Sequence, residues 1–205
     1  MDSRLRGNDH LFKSCEMNNP IHITTPLTDR VCRSLKAGDP VLLSGEVYTA
    51  RDVAHRRLHE AIRDGKKLPL DIKGKIIFYA APTPARPGQI IGSIGPTTGS
   101  RMDAFTPELL RIGLKGMIGK GKRSPEVIEA IKKFGAVYFG APGGVAALMA
   151  RHIRRADVVA YEDLGPEAIM RLEVSEMPLV VLTDSRGRDF YEAVRGVKKS
   201  PKILK

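Results

Sequence analysis

Apolar residues in this chain occur in short blocks whose spacing switches between that of strands and that of helices. Residues 40–47 contain the apolar run Val41–Leu43 and end on Val47, which predicts a strand. Apolar residues then recur at helical spacing as far as Gly65, which predicts a helix over about residues 50–64. The segment from Thr49 to Asp52 has the form of a capping box and would start that helix.

The same switching continues along the rest of the chain. Further strands are predicted at residues 75–80, 90–94, 116–118, 136–139, 158–161 and 179–183. Further helices are predicted to begin at Thr106-Pro107, to run from Ser124-Pro125 to Gly135, to span about 144–154, and to open at Leu164-Gly165-Pro166. Because strands alternate with helices, the pattern indicates an α/β fold with some parallel sheet in one compact body.

The two ends of the chain differ from this pattern. Residues 1–16 show no helical or strand period, Met17 follows them, and organised sequence starts near Ile21. We therefore expect residues 1–20 to be a disordered or mis-annotated extension, with Met17 as the natural start. Residues 195–205 contain five Lys and Arg and no acid, which is typical of a solvated basic tail. Residues 21–194 remain as the folded domain, a size that can bury one core.

The composition excludes several classes of protein. The 205 residues carry a formal net charge of +11, and the basic tail accounts for five of these charges. With 5 Tyr, 6 Phe and no Trp the chain lacks a base-stacking platform, so we expect no nucleic-acid partner. No apolar run is long enough to span a bilayer, so no membrane partner is expected either. The two cysteines, Cys15 and Cys32, cannot form a disulfide framework and favour a reducing, cytoplasmic location.

Three local motifs carry chemistry in other proteins but are discounted in this one. Residues 116–122 resemble a phosphate-binding P-loop, but Arg123 follows where that motif needs a hydroxyl for Mg²⁺. His55 and His59 are spaced like zinc ligands on a helix, but the intervening glutamate of the zinc-protease motif is missing. The glycine-rich segment 140–144 could offer N–H groups to an anion, and close packing of small residues is the favoured explanation.

Cations placed beside free backbone N–H groups are more informative. Arg51 falls in the first turn of the predicted helix, where a positive charge is unfavourable unless a carboxylate binds there. The turn over residues 95–103 combines three hydroxyls, a flexible backbone and Arg101, and Lys120 lies between two glycines. Each cation alone is typical of a solvated surface. Together they indicate a site for a small polyanion.

Five motifs in chain order connect these residues to a known family. They are Ile23–Asp29, Tyr48–Asp52 with His55, Gly95–Asp103, Ile118–Gly121 and Tyr161–Ala168. With these motifs, over about residues 21–192, the chain resembles the β subunit of class I fumarate hydratase, in an iron–sulfur hydro-lyase family that includes L(+)-tartrate dehydratase. The resemblance implies an α/β, swivelling β/β/α three-layer domain with a mixed sheet.

The resemblance also implies a partner. A [4Fe–4S] cluster would be carried by three cysteines of a separate α subunit, because Cys15 and Cys32 cannot hold one, and this chain would bind no cofactor. The assembly would be a hetero-oligomer containing two copies of this chain. Its reaction would be the reversible hydration of fumarate to L-malate, with the cluster iron as Lewis acid.

Site residues follow from the same motifs. The positions that match the family's dicarboxylate-binding residues are Arg51, Thr97, Thr98, Gly99, Ser100, Arg101 and Lys120. Arg51, Arg101 and Lys120 would clamp the two carboxylates. Thr97 would take the catalytic acid–base role, with help from a second group because a threonine hydroxyl alone is a weak base.

The choice of substrate stays open between two members of the family. Residues 98–103 depart from the Thr-Ala-Gly-Arg-Met-Asp form associated with fumarases, whereas Asp103 and the segment 161–167 favour fumarase over tartrate dehydratase. Both reactions involve a hydroxy-dicarboxylate, so the clamp barely separates them. A free-standing basic module that binds nucleic acid is the third alternative.

Overall fold

The computed structural model describes residues 19–141 and 146–197 of the chain. Its seven strands are β1 (Ile21–Thr24), β2 (Pro40–Thr49), β3 (Ile76–Phe78), β4 (Gly116–Gly119), β5 (Val137–Gly140), β6 (Ile153–Ala160) and β7 (Ile169–Thr183). Its α-helices are α1 (Asp29–Ser34), α2 (Asp52–Arg63), α3 (Thr106–Arg111), α4 (Pro125–Phe134), α5 (Ala146–Arg151) and α6 (Phe190–Val197). Two 3₁₀-helices span Gly99–Met102 and Glu162–Glu167.

Five of the strands close into a mixed β-barrel. β2, β3, β4 and β5 pair in parallel in that order, and β7 joins β5 to β2 with antiparallel pairing on both sides. β1 extends β2 in parallel, and β6 extends β7 in antiparallel orientation. The predicted α/β class with some parallel sheet is therefore confirmed.

The long strand β7 makes this closure possible. One of its edges pairs with β2 along nearly the whole strand, from Leu179 opposite Val41 to Arg171 opposite Tyr48. Its other edge pairs first with β6 and then with β5, where Val181 lies opposite Phe139. One strand thus connects the parallel half of the sheet to its antiparallel half.

Two buried clusters occupy the two faces of the barrel strands. Alternate residues point to opposite faces of a strand, so Phe78 and Phe139 belong to one cluster while Tyr79 and Tyr138 belong to the other. The first cluster draws on all five barrel strands and fills the barrel interior. The second contains residues of α2, α3 and α4, which therefore pack on the outside of β3, β4 and β5.

Most of the local sequence predictions are confirmed, and some are wrong. Helix α4 has the predicted ends: the Ser124 hydroxyl accepts from the Val127 N–H, and Gly135 has a φ of 63°. Residues 90–94 form no strand, and the helix predicted over 144–154 is too long because β6 begins at Ile153.

The expectations for residues 1–18, 198–205 and the glycines at 143 and 144 lie outside the described residues. Within the described ranges, none of the helices is long and apolar enough to cross a membrane.

Candidate functional site

The sequence-predicted site residues lie where three parallel strands end. β2 ends at Thr49, two residues before Arg51, and β4 ends at Gly119, directly before Lys120. Just after the end of β3, the Tyr79 carbonyl accepts a hydrogen bond of 2.6 Å from the Thr97 N–H. The carboxyl edge of a parallel sheet is the usual location of ligand sites in α/β folds.

The turn formed by residues 97–101 is joined to Lys120 by the backbone. The Lys120 N–H donates to the Thr97 carbonyl at 3.1 Å, and the Gly99 N–H donates to the Lys120 carbonyl at 2.8 Å. Thr98 and Lys120 form an isolated parallel bridge. The structure thus brings together Thr97, Thr98, Gly99, Ser100, Arg101 and Lys120, and Lys120 is exposed.

Arg51 reaches the same region through the start of α2, but the predicted capping box is wrong. Thr49 is still part of β2, and its buried hydroxyl accepts from the Met170 N–H at 2.9 Å. Arg51 is the N-cap residue and makes no side-chain cap bond. Glu167 takes over that role, because its Oε2 accepts from the Val53 N–H at 3.2 Å.

Carboxylates of this chain bind both candidate clamp arginines. Glu167 Oε1 lies 3.0 Å from Arg51 Nε and 2.9 Å from Arg51 Nη2. Asp52 binds Arg101 through both of its oxygens, with Nε donating to Oδ1 at 2.9 Å and Nη2 donating to Oδ2. The pair between Asp52 and Arg101 joins the start of α2 to the 97–101 turn. All the candidate site residues therefore belong to connected segments of the chain.

A buried ion pair lies beneath this turn. The Arg123 guanidinium donates from Nε to Asp103 at 2.7 Å and from Nη2 to the Thr106 hydroxyl at 2.8 Å. It also lies 5.3 Å from the ring centre of Tyr79 and 4.8 Å from that of Tyr138. Burial opposes its charge, but these phenols and Asp103 outweigh that effect and raise the pKa of Arg123. The residue that breaks the P-loop pattern is therefore part of the core.

Two glycines are needed where the turn meets this buried layer. A Cβ on Gly99 would lie 2.5 Å from the Tyr138 hydroxyl oxygen, and one on Gly119 would lie 2.8 Å from the same atom. The Tyr138 hydroxyl is buried and has no hydrogen-bond partner among the described residues. The backbone of the site can therefore approach the core only through residues that lack a side chain.

The two histidines of α2 face different surroundings. His55 is buried with its ring centre 5.1 Å from that of Tyr79, and burial lowers its pKa to about 4, so it is neutral at pH 7. The His59 Nδ1 atom lies 2.7 Å from Glu108. The two rings therefore are not arranged as a pair of ligands for one metal ion.

The described residues do not fit an iron–sulfur cluster as ligands. Cys32 is fully buried, and burial raises the pKa of its thiol to about 11, whereas cluster ligation needs a thiolate. Residues 19–141 and 146–197 contain no group of three or more His, Cys, Asp and Glu side chains placed to hold a metal ion.

Sequence reasoning found the cations but missed their partners. Asp52 and Glu167 stand inside two of the family motifs, yet they lie 49 and 116 residues from the arginines that they bind. Their positions in the motifs were the one available signal. No local pattern indicates which arginine each carboxylate binds.

Comparison with known proteins gives a consistent set of relatives. A protein of Methanocaldococcus jannaschii with the provisional name L(+)-tartrate dehydratase subunit beta is 40% identical, over 82% of this chain and 89% of its own length. The L(+)-tartrate dehydratase subunit beta of Escherichia coli is 36% identical, over 82% and 84%. The anaerobic class I fumarate hydratase of Escherichia coli is 42% identical, over 74% of this chain and 28% of its own length.

The chain therefore spans most of the β subunits but just over a quarter of the fumarate hydratase. The family model described as Fumarase C-terminus matches residues 7–194. Taken together, the match to nearly the whole chain and the identities of 36–42% show that this protein belongs to the Fumarase C-terminus family, the hydro-lyase family of class I fumarate hydratases and L(+)-tartrate dehydratase β subunits.

Proposed function

We propose that this chain is the β subunit of an iron–sulfur hydro-lyase that catalyses the reversible hydration of fumarate to L-malate. The observation that carries this proposal is the convergence of Arg51, Arg101 and Lys120 at one edge of the barrel. Three cations around a hydroxyl-rich turn suit a substrate with two carboxylates and a hydroxyl. The family model spans the same residues.

In this proposal the three cations orient the substrate and balance its charge. Arg51 and Arg101 each offer a planar fork to one carboxylate, and Lys120 adds a mobile point charge beside the turn. Removal of the proton from the carbon next to a carboxylate places negative charge on that carboxylate. Cations already in place stabilise this charge without reorganisation.

Thr97 is the proposed acid–base residue. The Thr97 N–H donates to the Tyr79 carbonyl, and the Thr97 carbonyl accepts from the Lys120 N–H. The backbone from which the hydroxyl extends is therefore held on both sides. Hydration adds a hydroxyl to one alkene carbon and a proton to its neighbour, and dehydration reverses both. Thr97 would donate the proton to this neighbouring carbon in hydration and remove it in dehydration. A group from the partner would assist, because the threonine hydroxyl alone is a weak base.

The rest of the enzyme is proposed to lie on an α partner. The relatives named as subunits β match this chain over most of their lengths, which supports a separate chain for the remainder. That α chain would carry the [4Fe–4S] cluster, and the assembly would be a cytoplasmic hetero-oligomer containing two copies of this chain. The domain over 21–194, its swivelling three-layer arrangement and the flanking segments 1–20 and 195–205 belong to the same proposal.

L(+)-tartrate is the second candidate substrate, and a specific observation favours it. The chain covers 89% of the length of the protein from Methanocaldococcus jannaschii whose provisional name is L(+)-tartrate dehydratase subunit beta, but 28% of the Escherichia coli fumarate hydratase. Two relatives that this chain matches over most of their lengths are thus named for L(+)-tartrate. The site itself suits either dicarboxylate.

Co-expression of this chain with an α-type chain from the same genome, under anaerobic conditions, tests the proposal. We expect the purified complex to interconvert fumarate and L-malate with a higher kcat/KM than it shows for L(+)-tartrate. A preference for tartrate would replace fumarate by the second candidate. A complex with an intact cluster that acts on neither substrate would overturn the proposed function.

A further inference from the structure

We propose that Asp52 and Glu167 are positioning residues that hold the two clamp arginines by one edge and leave the other edge to the substrate. This inference rests on the proposed function, because it assigns a role within the same site. Neither carboxylate is among the residues that the family motifs marked as dicarboxylate-binding.

The contacts divide each guanidinium into a bound and a free edge. A guanidinium can bind a carboxylate through its Nε–Nη2 side or through its Nη1–Nη2 end. Asp52 occupies the Nε–Nη2 side of Arg101, and Glu167 occupies the same side of Arg51. Across the described parts of the chain, the Nη1 atom of neither arginine has a hydrogen-bond partner.

Both carboxylates are themselves fixed to the start of α2. Glu167 Oε2 accepts from the Val53 N–H, so a substrate that displaced Glu167 would leave a helix N-terminal N–H without its acceptor. Asp52 lies in the first turn of the helix, where the macrodipole favours a negative charge. The side chains of Asp52 and Glu167 are 26% and 21% exposed, so both are partly shielded. They are therefore supports that stay in place when substrate binds.

Holding the guanidinium planes has a direct consequence for binding. A free arginine side chain loses much rotamer freedom when it binds a ligand, and a fixed one has lost that freedom beforehand. Orientation errors of about 1 Å in a clamp cost roughly 100-fold in rate. The two carboxylates thus preorganise the clamp, and their removal weakens dicarboxylate binding.

The chain offers a matched control for this role. Asp163 binds Arg57 through two hydrogen bonds of 2.8 and 2.6 Å, and this pair also joins α2 to the 3₁₀-helix that carries Glu167. Arg57 is not a proposed clamp residue. Asp163→Asn therefore removes an ion pair between the same two elements as the Arg51–Glu167 pair, without touching either clamp arginine.

The test measures Asp52→Asn, Glu167→Gln and Asp163→Asn in the complex with the α chain. We expect Asp52→Asn and Glu167→Gln each to raise KM for the dicarboxylate roughly ten-fold, with a smaller change in kcat, and to weaken succinate binding in calorimetry by a similar factor. Asp163→Asn should leave both values within about two-fold of wild type. Asp52→Glu, which keeps the charge, should recover part of the loss.

Two results would overturn the inference, and both differ from failure of the proposed function. If Asp52→Asn and Glu167→Gln change KM and succinate affinity no more than Asp163→Asn does, the carboxylates do not position the clamp. If either variant binds dicarboxylate more tightly, that carboxylate is a placeholder that competes with substrate. If the wild-type complex turns over neither fumarate nor tartrate, the proposed function fails, and succinate affinity still decides the positioning role.

Discussion

Two arginine–aspartate pairs hold the turn that carries the candidate site, and they differ in surroundings more than in geometry. Arg101 pairs with Asp52 through two hydrogen bonds, and its side chain is 52% exposed. Arg123 pairs with Asp103 at the end of the same turn, and its side chain is 0% exposed. The outer guanidinium belongs to a side chain that is half exposed, whereas the inner guanidinium is enclosed by Tyr79, Tyr138 and Thr106.

This difference in exposure indicates that the two arginine–aspartate pairs have different roles, one in ligand binding and one in stability. An exposed ion pair contributes little to stability, so Arg101 can serve a ligand at small structural cost. A buried guanidinium that loses its partner leaves an uncompensated charge in the core, so Arg123 depends on Asp103 to keep the turn folded. Variants of the inner pair should therefore act on the free energy of unfolding, and variants of the outer pair should act on catalysis.

Asp103→Asn should produce the largest effect and should act on stability. Asp103 accepts from Arg123 and from the Ser124 N–H, both at 2.7 Å, and the substitution removes the negative charge that compensates the buried guanidinium. We expect a loss of about 3–5 kcal/mol in the free energy of unfolding. Urea unfolding of the full chain, followed by far-ultraviolet circular dichroism, measures it.

Asp52→Asn is the matched control for that prediction, since it breaks the outer pair. We expect it to change the free energy of unfolding by about 1 kcal/mol or less. Equal losses from the two variants would contradict the division between an inner structural pair and an outer functional pair.

Arg101→Lys should produce the converse result, with a large loss of activity and little loss of stability. Lysine keeps the charge but has no planar guanidinium, so it cannot bind the Asp52 carboxylate along one edge and a substrate carboxylate along another. We expect kcat/KM to fall roughly 100-fold while the complex with the α chain still assembles. Steady-state kinetics and size-exclusion chromatography measure the two outcomes, and unchanged kinetics would remove Arg101 from the clamp.

The local features of both regions could be predicted from the sequence, but their connections could not. The ends of α4 depend on Ser124 and Gly135, whose preferences act over a few residues, and both predictions are confirmed. The barrel closes through pairing of β2 with β7 across more than 120 residues, and only residues 179–183 of β7 were predicted. Its earlier part mixes buried and exposed positions with charged residues, so no continuous apolar block marks it.

The same limit applies to the site. The cations stand in recognisable turns, so Arg51, Arg101 and Lys120 could be singled out from spacing and resemblance. The prediction that Arg51 lies beside free helix N–H groups ready for a carboxylate describes the right chemistry, but Glu167 of this chain occupies that position. Which carboxylate pairs with which arginine depends on the folded arrangement of α2 and the second 3₁₀-helix.

His55 gives the stability of the inner region a pH dependence. Burial lowers its pKa to about 4 from an ordinary value of about 6.5, so the folded state binds fewer protons than the unfolded state between these values. Its contribution to stability is present above pH 6.5 and is lost as the pH falls toward 4. We expect roughly 2 kcal/mol less stability from this group at pH 5 than at pH 7.

Urea midpoints of wild type and His55→Leu at the two pH values measure this contribution. The leucine variant should lose the part of the pH dependence that His55 causes, whatever its stability at pH 7. An identical pH dependence in both proteins would show that His55 is not the group responsible.

Gly99→Ala tests the contact between the two regions, because Gly99 lies in the outer turn and faces the inner layer. The added Cβ would lie 2.5 Å from the Tyr138 hydroxyl oxygen and 3.0 Å from Arg123 Cδ, so the turn or the ring must move. We expect a loss of about 1–2 kcal/mol in the free energy of unfolding. Tyr138→Phe alone should be nearly neutral, since the hydroxyl has no partner among the described residues.

The double variant Gly99→Ala/Tyr138→Phe separates the hydroxyl contact from the rest of the strain. Removing the hydroxyl opens space for the Cβ, so the double variant should recover about 1 kcal/mol relative to Gly99→Ala. Additive losses in this double-mutant cycle would mean that the strain lies against Arg123 or the backbone instead. In that case the turn that carries Arg101 would remain displaced in the double variant, and we expect both Gly99→Ala and the double variant to have a lower kcat/KM than wild type.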